Sequence, residues 1–307
     1  MSLVVVGTMA FDAIETPFGK SDKIIGGSAM YVAYSANHFL QPVQQVSIVG
    51  NDFPQEELLH LKSCGVDTEG VEIVADGKSF FWSGRYHMDM NTRDTLVTEL
   101  NVLSQFNPVL PDSYKESEFL MLGNVMPSLQ KKVIEQFTVR PKLIVLDTMN
   151  FWMDTAMDEL REVMELVDVI LINDSEARQL SNEYSLVKAA KKILTMGPKY
   201  LIIKKGEHGA LLFHKNNVFF APALPLEEVF DPTGAGDSFA GGFIGHLART
   251  KDISYENMKT AIIVGSAMAS FCVEKFGTER LKEITKEDIA IRIHDFVELV
   301  NFDIALV

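Results

Sequence analysis

Short apolar runs alternate along the chain with amphipathic stretches that are long enough for helices. The apolar runs are residues 3–7, 45–49, 119–122, 143–146, 169–172 and 201–204, and the helical stretches are residues 28–39, 55–63, 128–137, 157–166, 186–196, 235–249, 255–274 and 286–300. Strands that are apolar throughout are buried on both faces, as in parallel sheets covered by helices. The alternation therefore predicts an α/β fold with a mostly parallel central sheet flanked by helices on both faces.

Two segments interrupt this alternation, residues 12–25 and residues 70–100. Within the second, residues 78–87 and 92–100 resemble strands and are separated by a polar turn, which predicts an antiparallel pair. Such a pair does not easily join a parallel sheet, so we expect a small β lid, with a simple edge hairpin as the alternative. The expected division is a core of residues 1–11, 26–69 and 101–307 and a lid of residues 12–25 and 70–100.

The charge of the chain restricts its partners. The sequence holds 28 Lys and Arg residues against 42 Asp and Glu residues, which gives a formal net charge of −14. A surface this acidic repels a phosphate backbone, so it disfavours nucleic acid and also counts against phosphorylated ligands. Cys64 and Cys272 form no CxxC pair, so neither a disulfide framework nor a zinc knuckle is expected. No apolar run reaches the roughly 18 residues that span a bilayer, and we expect a cytoplasmic protein without membrane contact.

The sequence matches two familiar phosphate-binding motifs only in part. Residues 19–21 resemble the end of a P-loop, but Ile14 stands where its first glycine is required. Residues 234–236 begin like a dinucleotide fingerprint, but Phe239 occupies the position of its third glycine. No HExxH motif occurs, and the histidines do not group at ligand spacing. P-loop, Rossmann dehydrogenase and zinc-enzyme interpretations are therefore disfavoured.

The segment that carries chemistry is residues 231–243, with the sequence DPTGAGDSFAGGF. Its glycine-rich start leads into a helix expected to begin near Ala235 or Gly236, and the first N–H groups of a helix form an anion site. Gly234 and Gly236 have no Cβ, which lets a phosphate approach the backbone. Asp237 then lies at the mouth of this site, where a carboxylate could accept a proton from an attacking hydroxyl. The alternative is that Asp237 only caps its helix. The glycines around it and Asp231 favour the catalytic interpretation.

Residues 231–239 resemble the signature of the ribokinase-like carbohydrate kinases, the PfkB family. Weaker matches follow in that family's order along almost the whole chain. They are Gly7-Thr8 with Asp12, the pair Gly26-Gly27, Asn173 with Glu176, and Gly206 with Gly209.

The resemblance implies an ATP-dependent kinase that transfers the γ-phosphoryl group to a hydroxyl of a sugar or sugar-like substrate. Asp237 would be the base, and Gly234, Ala235 and Gly236 the anion hole. Substrate would contact Asp12, Gly26, Gly27, Tyr31 and Asn124, and ATP would contact Lys204, Gly206, Gly209, Thr233, Gly234 and Gly236. Asn173 and Glu176 would organise Mg²⁺ through water, with a capping box as the alternative, and Asp231 with Thr233 and Gly277 would bind K⁺.

Some positions depart from the family pattern. Tyr31 stands where these kinases commonly carry an Asn that contacts the sugar, which weakens a claim for ribose. Lys204 stands where a hydroxyl residue is frequent, so its role near the phosphates is open. The aromatic residues 80–82 and Tyr86 could stack on a nucleoside base, bury the lid or form a homodimer contact through the lid.

Two alternatives remain for the function. The first is a nucleoside kinase of the same family, and the second is a ligand-binding regulator that has kept the fold without turnover. The expected partners are small molecules, and nucleotide should bind appreciably only with Mg²⁺ because the site has few basic side chains.

Overall fold

A computed structural model describes residues 2–301, so residue 1 and residues 302–307 of the expected core lie outside the described residues. The strands are β1 (Leu3–Val6), β2 (Ala10–Thr16), β3 (Gly19–Gly26), β4 (Val43–Gly50), β5 (Val66–Val74), β6 (Phe80–Tyr86), β7 (Arg93–Glu99), β8 (Phe119–Leu122), β9 (Leu143–Asp147), β10 (Val169–Asn173), β11 (Tyr200–Lys204), β12 (Ala210–His214) and β13 (Asn217–Ala221). The helices are α1 (Ser28–Ala36), α2 (Gln55–Ser63), α3 (Pro127–Ile134), α4 (Asn150–Thr155), α5 (Met157–Met164), α6 (Asp174–Ser181), α7 (Leu186–Ile193), α8 (Ala235–Thr250), α9 (Tyr255–Cys272), α10 (Glu279–Glu283) and α11 (Lys286–Val300).

The large sheet has the strand order β13-β12-β11-β10-β9-β8-β1-β4-β5. Its strands run in one direction except for β12, which pairs antiparallel with β11 and forms an antiparallel hairpin with β13 at one edge. Alternate residues of β1 enter opposite cores, with Leu3 and Val5 packed beneath α1, α8 and α9 and with Val4 and Val6 packed beneath α3, α5 and α7. This confirms the predicted α/β fold with helices on both faces of the sheet.

The lid is a second sheet with the order β3-β2-β6-β7. The predicted hairpin is β6 and β7, which pair antiparallel, and β2 joins them by pairing parallel to β6. The boundaries differ from the expected ones at two places. β5 pairs with β4 in the large sheet up to Val74, because Val71 packs against the large core, and β2 begins at Ala10 within the expected core segment.

The carboxyl ends of β9, β10 and β11 bring three polar residues to one edge of the large sheet. Leu171 lies opposite Asp147, and Asn173 lies opposite Lys204 across the neighbouring pair of strands. Ligands of open α/β sheets bind at this edge. In the part of the chain that the structure describes, no helix is both long and apolar enough to cross a membrane.

Glycines allow α8 to pack closely against α1 and α9. A Cβ on Gly241 would lie 2.5 Å from the carbonyl oxygen of Val32, and a Cβ on Gly242 would lie 3.1 Å from the Cα of Gly265. These close approaches fix the position of α8, whose first turn lies at the carboxyl edge of the sheet. A larger side chain at either glycine would therefore push α8 away from its neighbours.

Gly241→Ala should destabilise the protein by about 1 to 3 kcal/mol, because the added methyl group meets backbone and must separate two helices. In an open helix the same change would stabilise by about 1 kcal/mol. Urea denaturation should show a lower midpoint with an unchanged slope. Gly245→Ala is the control, since the nearest atom to its Cβ is 3.0 Å away and the loss should be smaller. Equal stability of wild type and Gly241→Ala would contradict the packing argument.

Candidate active site

The glycine turn before α8, residues 233–236, forms a concave end of backbone and is called the anion turn below. Gly234 precedes the helix with φ +76°, a conformation that side chains disfavour. A Cβ there would also lie 2.4 Å from the ring of Tyr31. The helix start therefore requires glycine at this position, and its N–H groups lie at the positive end of the α8 dipole.

Asp231 holds the anion turn in place. Its Oδ1 accepts a hydrogen bond from the Thr233 N–H at 2.8 Å, and its Oδ2 accepts one from the Gly277 N–H at 3.0 Å. The side chain is fully buried, and burial raises its pKa even though both of these hydrogen bonds lower it. Asp231 thus ties the turn to the loop that follows α9.

An ion pair lies beside the anion turn. Lys204 Nζ is 3.1 Å from Asp147 Oδ2, and it would be 3.0 Å from a Cβ on Gly236. Burial lowers the pKa of Lys204, but the carboxylates of Asp147, Glu176 and Asp237 raise it by more, so the net change is upward. A protonated amine is therefore held where a phosphate on the turn would be within reach.

Asp237 lies in the first turn of α8 and is half-buried. Burial raises its pKa to about 7, and the negative charge of Asp147 adds to the rise, while Lys204 and Arg93 oppose it. A carboxyl group with this pKa exchanges its proton near neutral pH, which suits a general base. Sequence and structure thus bring Asp237 together with the anion turn and the ion pair.

Asn173 and Glu176 form a capping box at the start of α6. Asn173 Oδ1 accepts a hydrogen bond from the Glu176 N–H at 2.8 Å, and Glu176 Oε2 accepts one from the Asn173 N–H at 2.7 Å. Burial raises the pKa of Glu176 to about 7, with Lys204 lowering it and Asp147 raising it. The capping box that was the alternative to an Mg²⁺ site is thus present. Glu176 also lies close enough to Lys204 and Asp147 for their charges to act on its carboxyl group.

Asp12 lies on β2 of the lid sheet and is buried against the start of α1. A Cβ on Gly26 would lie 1.8 Å from Asp12 Oδ2, and the backbone N–H of Gly27 lowers the pKa of the Asp12 carboxyl group. Burial raises the pKa of Asp12 to about 8, and the charges of Asp231 and Asp237 contribute to the rise. The structure therefore brings together the residues that are predicted to bind the acceptor substrate. They lie close enough to the anion turn for the carboxylate of Asp12 to interact with those of Asp231 and Asp237.

One face of the lid points toward this site. Asp12 lies opposite Trp82 on β6, and Tyr86 is on the same face of that strand, where its hydroxyl oxygen accepts a hydrogen bond from Thr233 Oγ1 at 3.1 Å. Arg93 pairs with Tyr86 across the hairpin, and its charge lowers the pKa of Asp12 and Asp237. Asp12, Trp82, Tyr86 and Arg93 are called the lid face below.

Neither Arg93 nor the contact of Tyr86 with Thr233 was predicted from the sequence. The available signal was the hairpin itself, since the turn at residues 87–92 places residue 93 opposite residue 86. A cation at that position is the lid's contribution to a site otherwise rich in carboxylates.

The second glycine pair forms a short 3₁₀ turn after β11, Gly206–His208. Gly206 and Gly209 have φ of +55° and +80°, and the Lys205 N–H donates to the Gly209 carbonyl oxygen at 2.8 Å. A Cβ on Gly206 would lie 2.3 Å from Asn91 Oδ1, so the tip of the lid hairpin touches this turn. The lid therefore spans the distance between the acceptor residues and the predicted nucleotide turn.

Two residues that are predicted to contact substrate, Tyr31 and Asn124, pack against or bond to other residues in the structure. Tyr31 is buried beneath the anion turn, where its hydroxyl has no hydrogen-bond partner within residues 2–301. Asn124 Oδ1 accepts a hydrogen bond from Trp152 Nε1 at 2.8 Å, and its amide nitrogen lies 3.0 Å from Met149 Sδ. The Tyr31 ring fills the space that Gly234 leaves open, and its contact with substrate stays a prediction.

Asp237→Asn should raise thermal stability at pH 8 but not at pH 4. The pKa of Asp237 is about 4 in an unfolded chain and about 7 in the folded protein, so stability is lost as pH rises between these values. Asparagine stays neutral and avoids that loss. Differential scanning calorimetry at both pH values measures the effect, with Asp76→Asn on an exposed turn as the control. A lower melting temperature than wild type at pH 8 would contradict the predicted destabilisation.

Comparisons with known proteins agree with this architecture. The sequence profile described as "pfkB family carbohydrate kinase" matches residues 2–285. The chain is 30% identical over 293 residues to a cytidine kinase from Thermococcus kodakarensis, covering 94% of this chain and 97% of the relative. A nucleoside kinase from Methanocaldococcus jannaschii superposes with a TM-score of 0.76 at 20% identity, covering 95% of this chain and 98% of that one. A Burkholderia thailandensis nucleoside kinase in complex with ADP-inosine gives 0.77 at 21% identity, covering 95% of each chain.

Proposed function

The chain belongs to the pfkB family of carbohydrate kinases, phosphotransferases with an alcohol group as acceptor, and we propose that its acceptor is a nucleoside whose hydroxyl is deprotonated by Asp237. The observation that carries this proposal is that Asp237 directly follows the anion turn and lies near enough to Asp12 for the charge of one carboxylate to act on the other. The names of a cytidine kinase and a nucleoside kinase among the relatives favour a nucleoside over a free sugar.

Asp12 binds the acceptor substrate, and Asp237 accepts the proton of its attacking hydroxyl. Asp12, whose carboxyl group packs against Gly26, holds hydroxyls of the ribose so that one hydroxyl faces Asp237. That hydroxyl oxygen attacks the γ-phosphorus of ATP as its proton passes to Asp237, and the bond from phosphorus to the bridging oxygen of ADP breaks. Phosphoryl transfer has a loose transition state, so positioning contributes more than the strength of the base.

The anion turn and Lys204 receive the phosphate charge. The turn offers backbone N–H groups at a helix start, and Gly236 leaves the Lys204 ammonium room beside it. Lys204 is paired with Asp147 in this structure, and phosphate oxygens would compete for the same amine. Each well-placed donor contributes about 3 kcal/mol if oxyanion-hole magnitudes apply.

Mg²⁺ fits this site as an ion that keeps most of its water. Among residues 2–301 no three acidic, histidine or cysteine side chains gather around one point, so a fully protein-built metal cage is not available. Glu176 offers one buried carboxylate beside Lys204 and Asp147, and such sparse ligation is usual for Mg²⁺ with a nucleotide. When bound, the ion neutralises phosphate charge. Glu176 and Asn173 would orient its waters.

The K⁺ site stays a prediction. Both carboxylate oxygens of Asp231 already accept backbone N–H groups, and the Thr233 carbonyl oxygen accepts from Cys272 Sγ at 3.4 Å. No step of the mechanism is assigned to K⁺. Comparing ADP release in K⁺ and in Na⁺ buffers tests the site.

The lid also supports the proposed homodimer. β7 is an edge strand whose residues are all exposed, including Leu96 and Val97. An exposed edge can pair with the same strand of a second copy. Sedimentation equilibrium measures the oligomeric state, and a monomer at all concentrations would contradict this part of the proposal.

Asp237→Asn should lower phosphoryl transfer to nucleosides by about 10² or more while ATP binding persists.

Below pH 7 the wild-type kcat/KM should rise about tenfold per pH unit, then level off above the Asp237 pKa of about 7, because only the ionised carboxylate accepts the proton. ADP release with cytidine, inosine and ribose measures both effects, and Asp76→Asn is the control. A loss below tenfold would remove Asp237 as the base. No ADP release by wild type with any acceptor would favour the regulator alternative.

Glu176→Gln should raise the Mg²⁺ concentration needed for half-maximal ADP release. The second capping box, Thr285 with Asp288 at the start of α11, provides a matched control because it lies on a different helix. Asp288→Asn weakens a helix cap in the same way and should leave the Mg²⁺ titration unchanged. Unchanged titrations for both variants would show that Glu176 is only a cap.

A further inference from the structure

Trp82 occupies a position on the lid face that no step above uses. It is half-buried and lies directly opposite Asp12 on the neighbouring parallel strand. Neighbouring strands are about 4.8 Å apart, so a group bound by Asp12 has its next substituent within reach of the indole. Because Tyr86 on the same face reaches the anion turn, this face borders the acceptor site.

The indole lies along the strand over Gly84. A Cβ on Gly84 would be 2.1 Å from Cη2 and 2.4 Å from Cζ2 of the ring, so any side chain there would displace the indole. Trp82 Nε1 donates to Thr95 Oγ1 at 3.3 Å, which fixes the ring's orientation. A missing side chain and a hydrogen bond thus hold the indole in one pose against the sheet.

Arg93 lies over this ring. Its guanidinium carbon is 5.7 Å from the ring centroid. Two stacked contacts of about 3.5 Å each need about 7 Å, so a shift of Arg93 by about 1 Å would admit one planar group between them. An indole on one side and a guanidinium on the other both stack well on aromatic rings.

The neighbouring aromatic residues do not offer such a surface. Phe81 is on the opposite face of β6 and packs against the large core. Tyr86 is buried and bonded to Thr233. Phe80 is on the same face of β6 as Trp82, but it lies opposite Ala10. Trp82 is therefore the aromatic side chain of β6 that lies directly opposite Asp12.

We propose that Trp82 is the stacking platform for the base of a nucleoside acceptor, with Gly84 and Thr95 fixing its pose and Arg93 covering the other side of the base. This inference rests on the proposed function, since it assumes that Asp12 holds the ribose. It assigns base recognition to the lid, and it explains why β6 carries glycine beneath its tryptophan.

A binding measurement tests the platform without turnover. Trp152→Phe leaves Trp82 as the single tryptophan of the chain, because the sequence has 2. Cytidine or inosine, added without ATP, should then change its fluorescence in a saturable way, whereas ribose should not. Fluorescence that is unaffected by nucleosides at concentrations that saturate turnover would overturn the proposal.

Kinetic variants separate stacking from folding. Stacking of one base is worth about 5- to 150-fold in binding, so Trp82→Leu should raise the nucleoside KM within that range and leave any turnover of ribose unchanged. Trp82→Phe should restore much of the loss. Gly84→Ala keeps the tryptophan but displaces it, and it should raise the nucleoside KM as well. Val97→Ala, at an exposed position paired with Ser83 on the other face, is the control.

The outcomes distinguish the two proposals. If wild type releases ADP with nucleosides and Trp82→Leu has the wild-type KM, the platform is wrong and the proposed function stands. If wild type phosphorylates free sugars and no nucleoside, the proposed function is wrong in its acceptor and the platform fails with it. A KM rise in Trp82→Leu and Gly84→Ala, with Val97→Ala unchanged, supports both.

Discussion

The pairing of Lys204 with Asp147 is the interaction on which the site depends. Burial raises the pKa of the carboxyl groups of Asp12, Glu176 and Asp237, so it works against their ionisation in and around this site. Lys204 is the cation that the sheet itself supplies among them. Together with backbone N–H groups it lets an acidic chain bind phosphate. The charge of −14 therefore disfavours nucleic acid without excluding ATP.

Much of the fold and of the site's centre was predictable because both rest on local patterns. The apolar runs mark strands that are buried on both faces, and the confirmed α/β fold follows from them. The anion turn is equally local, since the conformation of Gly234 and the start of α8 depend on neighbouring residues. The family resemblance grouped Asp12 with Gly26 as substrate contacts, and the two residues are neighbours in the structure although they belong to different strands.

The remaining features depend on tertiary contacts that a single sequence does not display. β5 resembles lid sequence in its polarity, and only its pairing with β4 places it in the large sheet. Tyr31 substitutes for a polar family residue, and its burial follows from the space left by Gly234. Arg93 is one of many exposed charges until the hairpin sets it opposite Tyr86. Strand register, rather than composition, determines which lid side chains face the site.

The lid is fastened at two places, by Tyr86 on Thr233 and by Asn91 against Gly206. Movement of the lid away from the large sheet would break both contacts. The fraction of time that the lid spends open would then enter the association rate of a nucleoside and the departure rate of the phosphorylated product. A lid held in this way protects ATP from water but slows turnover. The Tyr86–Thr233 hydroxyl pair and the Asn91 amide set the balance between these two effects.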